Sequence, residues 1–399
     1  MSHPRFTPAA RVAKFDQDVW SIFTPLAAET KAINLGQGFM NHPRGRPRLR
    51  NALAASYSSE FGRDLNPDTE ILVTAGANEA MFATFAAYLD EGSEVICMEP
   101  FFDQYIANIT MNGGKPVFVP LRPPAHAAER NISSAEWRLD IDELKSKITD
   151  KTKMIVLNTP HNPVGKVFSE EELLAIGKVA EDHNLIILSD EVYDRLYYPP
   201  LQKFPRIATL GNLWERTITV GSGGKSFAAT GWRVGWLIGP EHLIKYSFAA
   251  QTRVVFCVNS PCQEAIAAGL EASLTKPIFA DQTSAYLAKR SILSKVFDEL
   301  NLPYTMPEGA YYILVNTAKI QLPKDYPFPA LLDTRGNDFK MCYWLTKEIG
   351  VCAIPPSEFY TKDHWPLAEN FARFAYCKTD DVLHQAVDRL RNLKPYITK

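Results

Sequence analysis

Lys225 lies in the run Gly221-Ser222-Gly223-Gly224-Lys225-Ser226, directly after the apolar stretch Thr217–Gly221. A lysine flanked by small residues at the end of a buried strand can reach a carbonyl group and form a Schiff base with it. The plain alternative is a surface lysine. Asp190 has a comparable place, because Ser189-Asp190-Glu191-Val192-Tyr193 closes the apolar run Leu185–Leu188. An acid there is costly unless it meets a cation. A protonated pyridine nitrogen is one such cation, and the carboxylate would keep that ring protonated as an electron sink. The alternative use of Asp190 is to cap the next turn. Tyr193, three residues on, is placed to bond a phenolic oxygen of the same ring.

Asn162 belongs to Asn158-Thr159-Pro160-His161-Asn162-Pro163-Val164-Gly165, which follows the apolar Met154–Leu157. Two prolines and a glycine hold a rigid turn, fixing Asn162 to donate to that oxygen. Turn chemistry alone explains the prolines but not the position. Thr74-Ala75-Gly76-Ala77-Asn78 precedes a helix expected over Asn78–Leu89 with Asn78 as N-cap. Backbone N–H groups at such a helix start suit a phosphate. Ser222 lies three residues before Lys225 and Arg233 eight after it, and Arg233 can add a bidentate charge-assisted pair. Two nucleotide-binding readings compete. The Gly221 run is half a P-loop, but Thr219 stands where its first glycine belongs; Gly36-Gln37-Gly38 opens a dinucleotide fingerprint, but Asn41 takes the third glycine's place.

These residues need a scaffold that brings strand ends together. The short runs Glu94–Glu99, Pro116–Pro120, Met154–Asn158, Leu185–Ser189, Thr217–Gly221 and Val234–Ile238 are mainly apolar rather than alternating, as in strands buried on both faces of a mostly parallel sheet. Helical stretches separate them, and Ser169-Glu-Glu-Glu172 is a capping box. This is an α/β pattern, and ligands bind at the carboxyl ends of such strands. After about residue 245 longer helical stretches follow, with strand-like Ala310–Val315 and Phe371–Tyr376 and a last helix over Asp380–Leu393. The expected division is an N-terminal arm over 1–44 packing on a smaller unit, a large α/β domain over 45–279 and a small α+β domain over 280–399.

Composition is consistent with this. The chain has 399 residues, 46% hydrophobic and 22% charged, so global disorder is excluded. Lys+Arg 43 against Asp+Glu 45 leaves a formal charge of −2, with no broad electrostatic reason to bind nucleic acid or an anionic membrane. No apolar run reaches the ~18 residues of a membrane span, and no apolar core marks a secretion signal. The six cysteines form no CxxC pair and no His pair has metal-ligand spacing; free thiols in a reducing compartment and no metal are expected. The expected location is cytoplasmic. Arg5, Arg11 and Lys14, with no acid before Asp16, leave a mitochondrial presequence as the alternative.

Taken together, Asn-Pro-x-Gly, Asp-x-x-Tyr and Ser-x-x-Lys with Arg eight later resemble the class I aminotransferases, pyridoxal-phosphate enzymes of fold type I. Asn34-Leu-Gly-Gln-Gly-Phe39, Glu99-Pro-Phe-Phe-Asp103, Gly165-Lys-Val-Phe168 and Gly231-Trp-Arg-Val-Gly-Trp236 are similar to the kynurenine aminotransferases, also called glutamine transaminase K or cysteine-conjugate β-lyase. Val117–Pro120, Phe101–Ile106 and Leu302–Tyr304 look closest to fungal members. The resemblance implies that Lys225 is the Schiff-base lysine and proton shuttle, Asp190 the pyridinium partner, and Asn162 and Tyr193 the phenolic-oxygen partners. It implies a phosphate cup of Gly76, Ala77, Asn78, Ser222 and Arg233, with Phe102 stacked on the ring. It makes Arg373 the grip on the substrate α-carboxylate, with Asn162 and Gly38 beside it and Trp20 as a side-chain wall. Phe256 is lent by the neighbouring subunit of a homodimer. The implied substrates are an amino acid, L-kynurenine foremost, and a 2-oxo acid; kynurenine would yield kynurenic acid.

The chain departs from the family between Phe39 and Arg44. It passes through Met40-Asn41-His42-Pro43 straight to Arg44-Gly45-Arg46-Pro47. Family members carry a longer stretch here, with a Tyr that reaches the partner's cofactor phosphate. Four residues span at most ~14 Å. Losing one bond to a charged acceptor costs about 1.5–3 kcal/mol. The shortened segment leaves an impaired or non-catalytic splice form as one alternative; independently of it, the resemblance also allows β-elimination from cysteine S-conjugates.

Overall fold

The computed structural model of the chain describes residues 6–13, 29–30 and 43–398. The strands are β1 (Ile71–Thr74), β2 (Glu94–Glu99), β3 (Lys115–Arg122), β4 (Ile132–Ser133), β5 (Arg138–Leu139), β6 (Thr152–Asn158), β7 (Ile186–Asp190), β8 (Thr217–Ser222), β9 (Gly235–Ile238), β10 (Tyr304–Met306), β11 (Tyr312–Asn316) and β12 (Phe371–Ala375). Eight of them form one sheet in the order β1-β9-β8-β7-β6-β2-β3-β5. From β8 to β3 neighbours are parallel; β9 runs antiparallel to both β1 and β8. Every residue of β2 and β7 is buried, which is why these strands read as unbroken apolar runs rather than alternating ones. A second sheet, β12-β11-β10-β4, is antiparallel except where β10 meets β4. The fold class is therefore the expected α/β sheet between helices, with a smaller sheet beside it.

The helices that position the site are α1 (Pro47–Phe61), α2 (Ala77–Tyr88), α3 (Asp103–Met111), α4 (Glu170–Asp182), α5 (Glu241–Val254), α6 (Ile278–Glu299) and α7 (Asp380–Leu390). α4 begins as expected: Ser169 Oγ accepts from Glu172 N at 3.2 Å while the Glu172 carboxylate accepts from Ser169 N at 3.0 Å. α2 packs on α5, and α6 on α7. Among the described residues no helix is long and apolar enough to cross a membrane.

One expectation is corrected. The N-cap of α2 is Gly76 at φ 86°, with no side-chain cap; Asn78 lies inside the helix, its amide oxygen accepting from Asn108. Among the described residues of the arm, Ala9, Ala10 and Arg11 bond to the end of α2, the turn beyond it and the end of α3. Ala9 N donates to Ala87 O at 2.7 Å, Ala10 N to Asp90 Oδ1 at 3.0 Å, and Arg11 reaches Leu89 O and Asn112 O. A helix end exposes carbonyls without intrahelical partners, and the arm supplies donors to them.

Candidate active site

Three neighbouring parallel strands end at one place. Asn158 closes β6, Asp190 closes β7 and Ser222 closes β8, with Asn158 opposite Asp190 in the ladder. A cavity of about 200 Å³ opens at these ends. Ala77, Asn78, Phe102, Asn162, Asp190 and Tyr193 line it, as do Ser222, Lys225 and Arg233. Gly76 sits beside them at the start of α2.

Asp190 forms the floor. Its Oδ2 accepts from the Tyr105 hydroxyl and its Oδ1 from Val192 N at 3.3 Å, so it does cap the following turn. Among the described residues it makes no ion pair. Burial pushes the carboxyl up to about 6, against the pull of the Tyr105 bond, the Val192 N–H and the Lys225 charge. A cation on the cavity floor would reverse that shift. A protonated ring nitrogen fits this vacancy of charge better than a neutral ligand does.

Lys225 stands in a single helical turn, Gly223–Ser226, started by Ser222, whose Oγ accepts from Lys225 N at 3.3 Å. Its amine donates to Tyr311 Oη at 2.9 Å and lies over the faces of Tyr193 and Tyr311. Burial holds the ammonium below the usual lysine range, with Cys377 and Asp190 opposing and the Arg233 and Arg373 charges adding to the fall. Such an amine loses its proton more readily than a surface lysine.

The start of α2 is shaped for a phosphate. Its first N–H groups have no side-chain cap, and Ala77 and Asn78 line the cavity together with Ser222 and Arg233. The backbone approach is close: a Cβ on Gly76 would lie 2.5 Å from Arg233 Nη2, and one on Gly235 2.6 Å from Ala77 N. Arg233 itself is held in the left-handed region, φ 52° and ψ 53°. Its guanidinium meets only carbonyls, Thr230 O at 3.2 Å and Ala75 O at 3.5 Å, among the described residues. Glu79, in the first turn of α2, would repel an anion if ionised, but burial raises its carboxyl to about 7 against the Ala75 N–H bond.

Asn162 and Arg373 meet at the rim. Asn162 N donates to Asn158 Oδ1 at 2.8 Å, and its Oδ1 accepts from Arg373 Nη1 at 3.1 Å. With the amide oxygen engaged, the Asn162 NH₂ group is left as the donor toward the cavity. Arg373 comes from β12, its backbone tied to Ile354 on both N and O. Its guanidinium lies over Tyr312 at 4.6 Å and Phe359 at 4.8 Å and has no acidic partner among the described residues. A carboxylate would complete it.

Phe256 is not part of this cavity: it sits past the end of α5 at φ 66°, 37% exposed. Gly38 and Trp20, and the segment between Phe39 and Pro43, lie outside the described residues. Sequence reasoning missed Tyr105, Tyr311 and Tyr312. Tyr105 follows Phe102 by one helical turn, a spacing that places both on one face; Tyr311, in the turn before β11, and Tyr312, its first residue, carry no local signal.

Comparison with known proteins follows the same line. The family model described as aminotransferase class I and II matches residues 18–390. The chain is 43% identical over 416 residues to the Saccharomyces cerevisiae protein named probable kynurenine–oxoglutarate transaminase BNA3, covering 96% of this chain and 93% of the relative. It is 36% identical over 422 residues to the Homo sapiens kynurenine–oxoglutarate transaminase 3, covering 97% and 90%. The crystal structure of Bna3p from Saccharomyces cerevisiae superposes with a TM-score of 0.87 at 44% identity, covering 96% of this chain and 97% of that one.

Proposed function

The chain belongs to the aminotransferase class I and II family, and from this premise we propose that it moves the α-amino group of L-kynurenine to a 2-oxo acid. It is a pyridoxal-phosphate-dependent transaminase acting on amino and 2-oxo acids. The names of the curated relatives support kynurenine as donor. The rings of Phe102, Tyr193 and Tyr312 around the cavity suit an aromatic side chain. One observation carries the reading: Lys225 and Asp190 face one cavity whose rim holds an arginine, Arg373, without an acid.

The residues divide the work as follows. When bound, pyridoxal phosphate supplies the aldehyde that holds the amino group and a protonated ring that takes up electrons. The Asp190 carboxylate would keep the ring nitrogen protonated. The Asn162 NH₂ and the Tyr193 hydroxyl would donate to the phenolic oxygen, beside Phe102. Backbone N–H groups at Gly76 and Ala77, with Asn78, Ser222 and Arg233, would hold the phosphate. Arg373 grips the α-carboxylate, which orients the substrate Cα–H toward Lys225. Lys225 Nζ takes that proton and later returns one, acting as base and then acid.

In the same reading residues 45–279 form the cofactor-holding domain and 280–399 the smaller one. The enzyme is a homodimer: Trp232, Val254 and Phe256 are exposed apolar side chains, of a kind suited to a subunit contact. Phe256 then enters the neighbour's site. Six free cysteines support a reducing, cytoplasmic location. The test is product formation from L-kynurenine with a panel of 2-oxo acids. Kynurenic acid formed only when a 2-oxo acid is present supports the reading; turnover of other amino donors without any from kynurenine contradicts it.

A further inference from the structure

Ala310 has φ 56°, a left-handed backbone at a non-glycine residue. Such strain persists only where the surroundings over-determine it, and it concentrates at functional sites. Here the surroundings are explicit. Ala310 N donates to Leu196 O at 2.8 Å, and its carbonyl accepts from the Tyr198 and Tyr376 hydroxyls. The next carbonyl, Tyr311 O, accepts from Tyr376 N at 3.1 Å. These bonds fix the peptide on both sides of the turn, and the turn delivers Tyr311 to Lys225.

The Tyr311 ring is clamped as firmly as its backbone. It stacks on Tyr286 at 19° between planes and meets Tyr193 edge-on at 5.1 Å. Tyr311 is buried and lies outside the cavity lining, behind the lysine. Its hydroxyl therefore has little freedom, and it stands 2.9 Å from Lys225 Nζ. That is the one hydrogen bond Nζ makes among the described residues.

We infer that Tyr311 is the positioning residue of the lysine: its hydroxyl is the fixed dock on which the free Lys225 amine rests between proton transfers. The amine commits one N–H to Tyr311 Oη, and once neutral it keeps its lone pair for the substrate proton. Without the dock a four-carbon side chain has several rotamers to search before each transfer. The inference rests on the reading of Lys225 as the proton carrier, but the bond itself is tested apart from turnover. Burial and the neighbouring Tyr312 hold the Tyr311 phenol well above its ordinary range, so it stays a neutral partner.

The experiment is Tyr311→Phe, which keeps the ring and removes the hydroxyl. In the full-length, cofactor-free protein, the pH dependence of Lys225 acetylation by trace acetic anhydride is read by mass spectrometry. An acceptor on a charged N–H favours the ammonium form, so the midpoint for Lys225 should move to lower pH in Y311F. In the loaded enzyme kcat should fall about tenfold, with both KM values within about twofold, as for loss of an interaction used only in the chemical step. An unchanged Lys225 midpoint in a Y311F protein that melts like wild type overturns the inference, whatever the enzyme's substrate proves to be. Should Y311F fold poorly, 3-fluorotyrosine at position 311 keeps ring and hydroxyl but weakens the acceptor. The midpoint should then move in the same direction by less, and no movement there also overturns the inference.

Discussion

Arg373 Nη1 donates to Asn162 Oδ1 at 3.1 Å, joining the strand β12 of the smaller sheet to the loop that follows β6 of the larger one. The bond orients both partners. It turns the Asn162 NH₂ group toward the cavity and leaves the rest of the Arg373 fork for a carboxylate. In the proposed reaction this one pair would set both the substrate grip and the cofactor contact.

Arg373→Lys should therefore harm the two substrates alike. A lysine cannot give the bidentate fork, and losing one charge-assisted bond costs about 2 kcal/mol, roughly 30-fold in binding. KM for the amino donor and for the 2-oxo acid should rise together in steady-state kinetics. A rise in only one would mean that Arg373 does not serve the shared α-carboxylate.

Asp190 gives a pH signature in the cofactor-free protein. Its folded value, about 6, lies above the ordinary 3.8, so the folded state holds this proton more tightly than the unfolded state. The penalty for burying the ionised group is absent below the ordinary carboxylate value, grows as pH rises, and is complete above about 6. It amounts to about 3 kcal/mol. Asp190→Asn removes it while keeping an acceptor for Tyr105. Urea unfolding should show D190N gaining on wild type by about that amount between pH 4 and 7; comparison with wild type cancels Glu79 and Glu191, whose values are also near 7. A flat difference would contradict this account of Asp190.

Gly76→Ala should weaken cofactor binding selectively. The new methyl would sit 2.5 Å from Arg233 Nη2 at a backbone φ of +86°, displacing the guanidinium and adding about 1–2 kcal/mol of strain. A pyridoxal phosphate titration should show affinity reduced at least about 10-fold. Gly231→Ala, with open space around its Cβ, should bind as wild type does.

Behind the site, Arg206 is 2% exposed and pairs with Glu191, Asp194 and Glu60. It ties the turn carrying Tyr193 to α1. Arg206→Ala leaves buried Glu191 without its cation and Asp194 with only Arg195, 4.0 Å away, among the described residues, and should cost about 3 kcal/mol of stability, measured by urea unfolding. A loss under 1 kcal/mol would mean that the cluster does not brace the turn.

Much of this was legible in the chain because the signals are local. β2 matches its apolar run residue for residue, and the Ser169 box starts α4, since continuous burial and capping both act within a few residues. The residues at the strand ends were legible for the same reason. What escaped depends on distant approach. Tyr105 reaches Asp190 across 85 residues and Tyr311 reaches Lys225 across 86, and β4 joins β10 from the other half of the chain. Asn78 was a reasonable cap by type, but the close approach of Arg233 requires a glycine there, so the cap is Gly76. Arg373 has no local sequence signal, so its assignment rests on the family resemblance; its lack of an acidic partner among the described residues is a structural fact.

The central claim is that Lys225 and Asp190 serve one cofactor that carries an amino group. Its most direct test is the absorbance spectrum of the purified protein with pyridoxal phosphate, recorded before and after L-kynurenine and again after a 2-oxo acid. A visible band that disappears with kynurenine and returns with the 2-oxo acid, and that never forms in Lys225→Ala, is the predicted result. A folded protein that never acquires the band, or a K225A protein that cycles like wild type, would contradict the account.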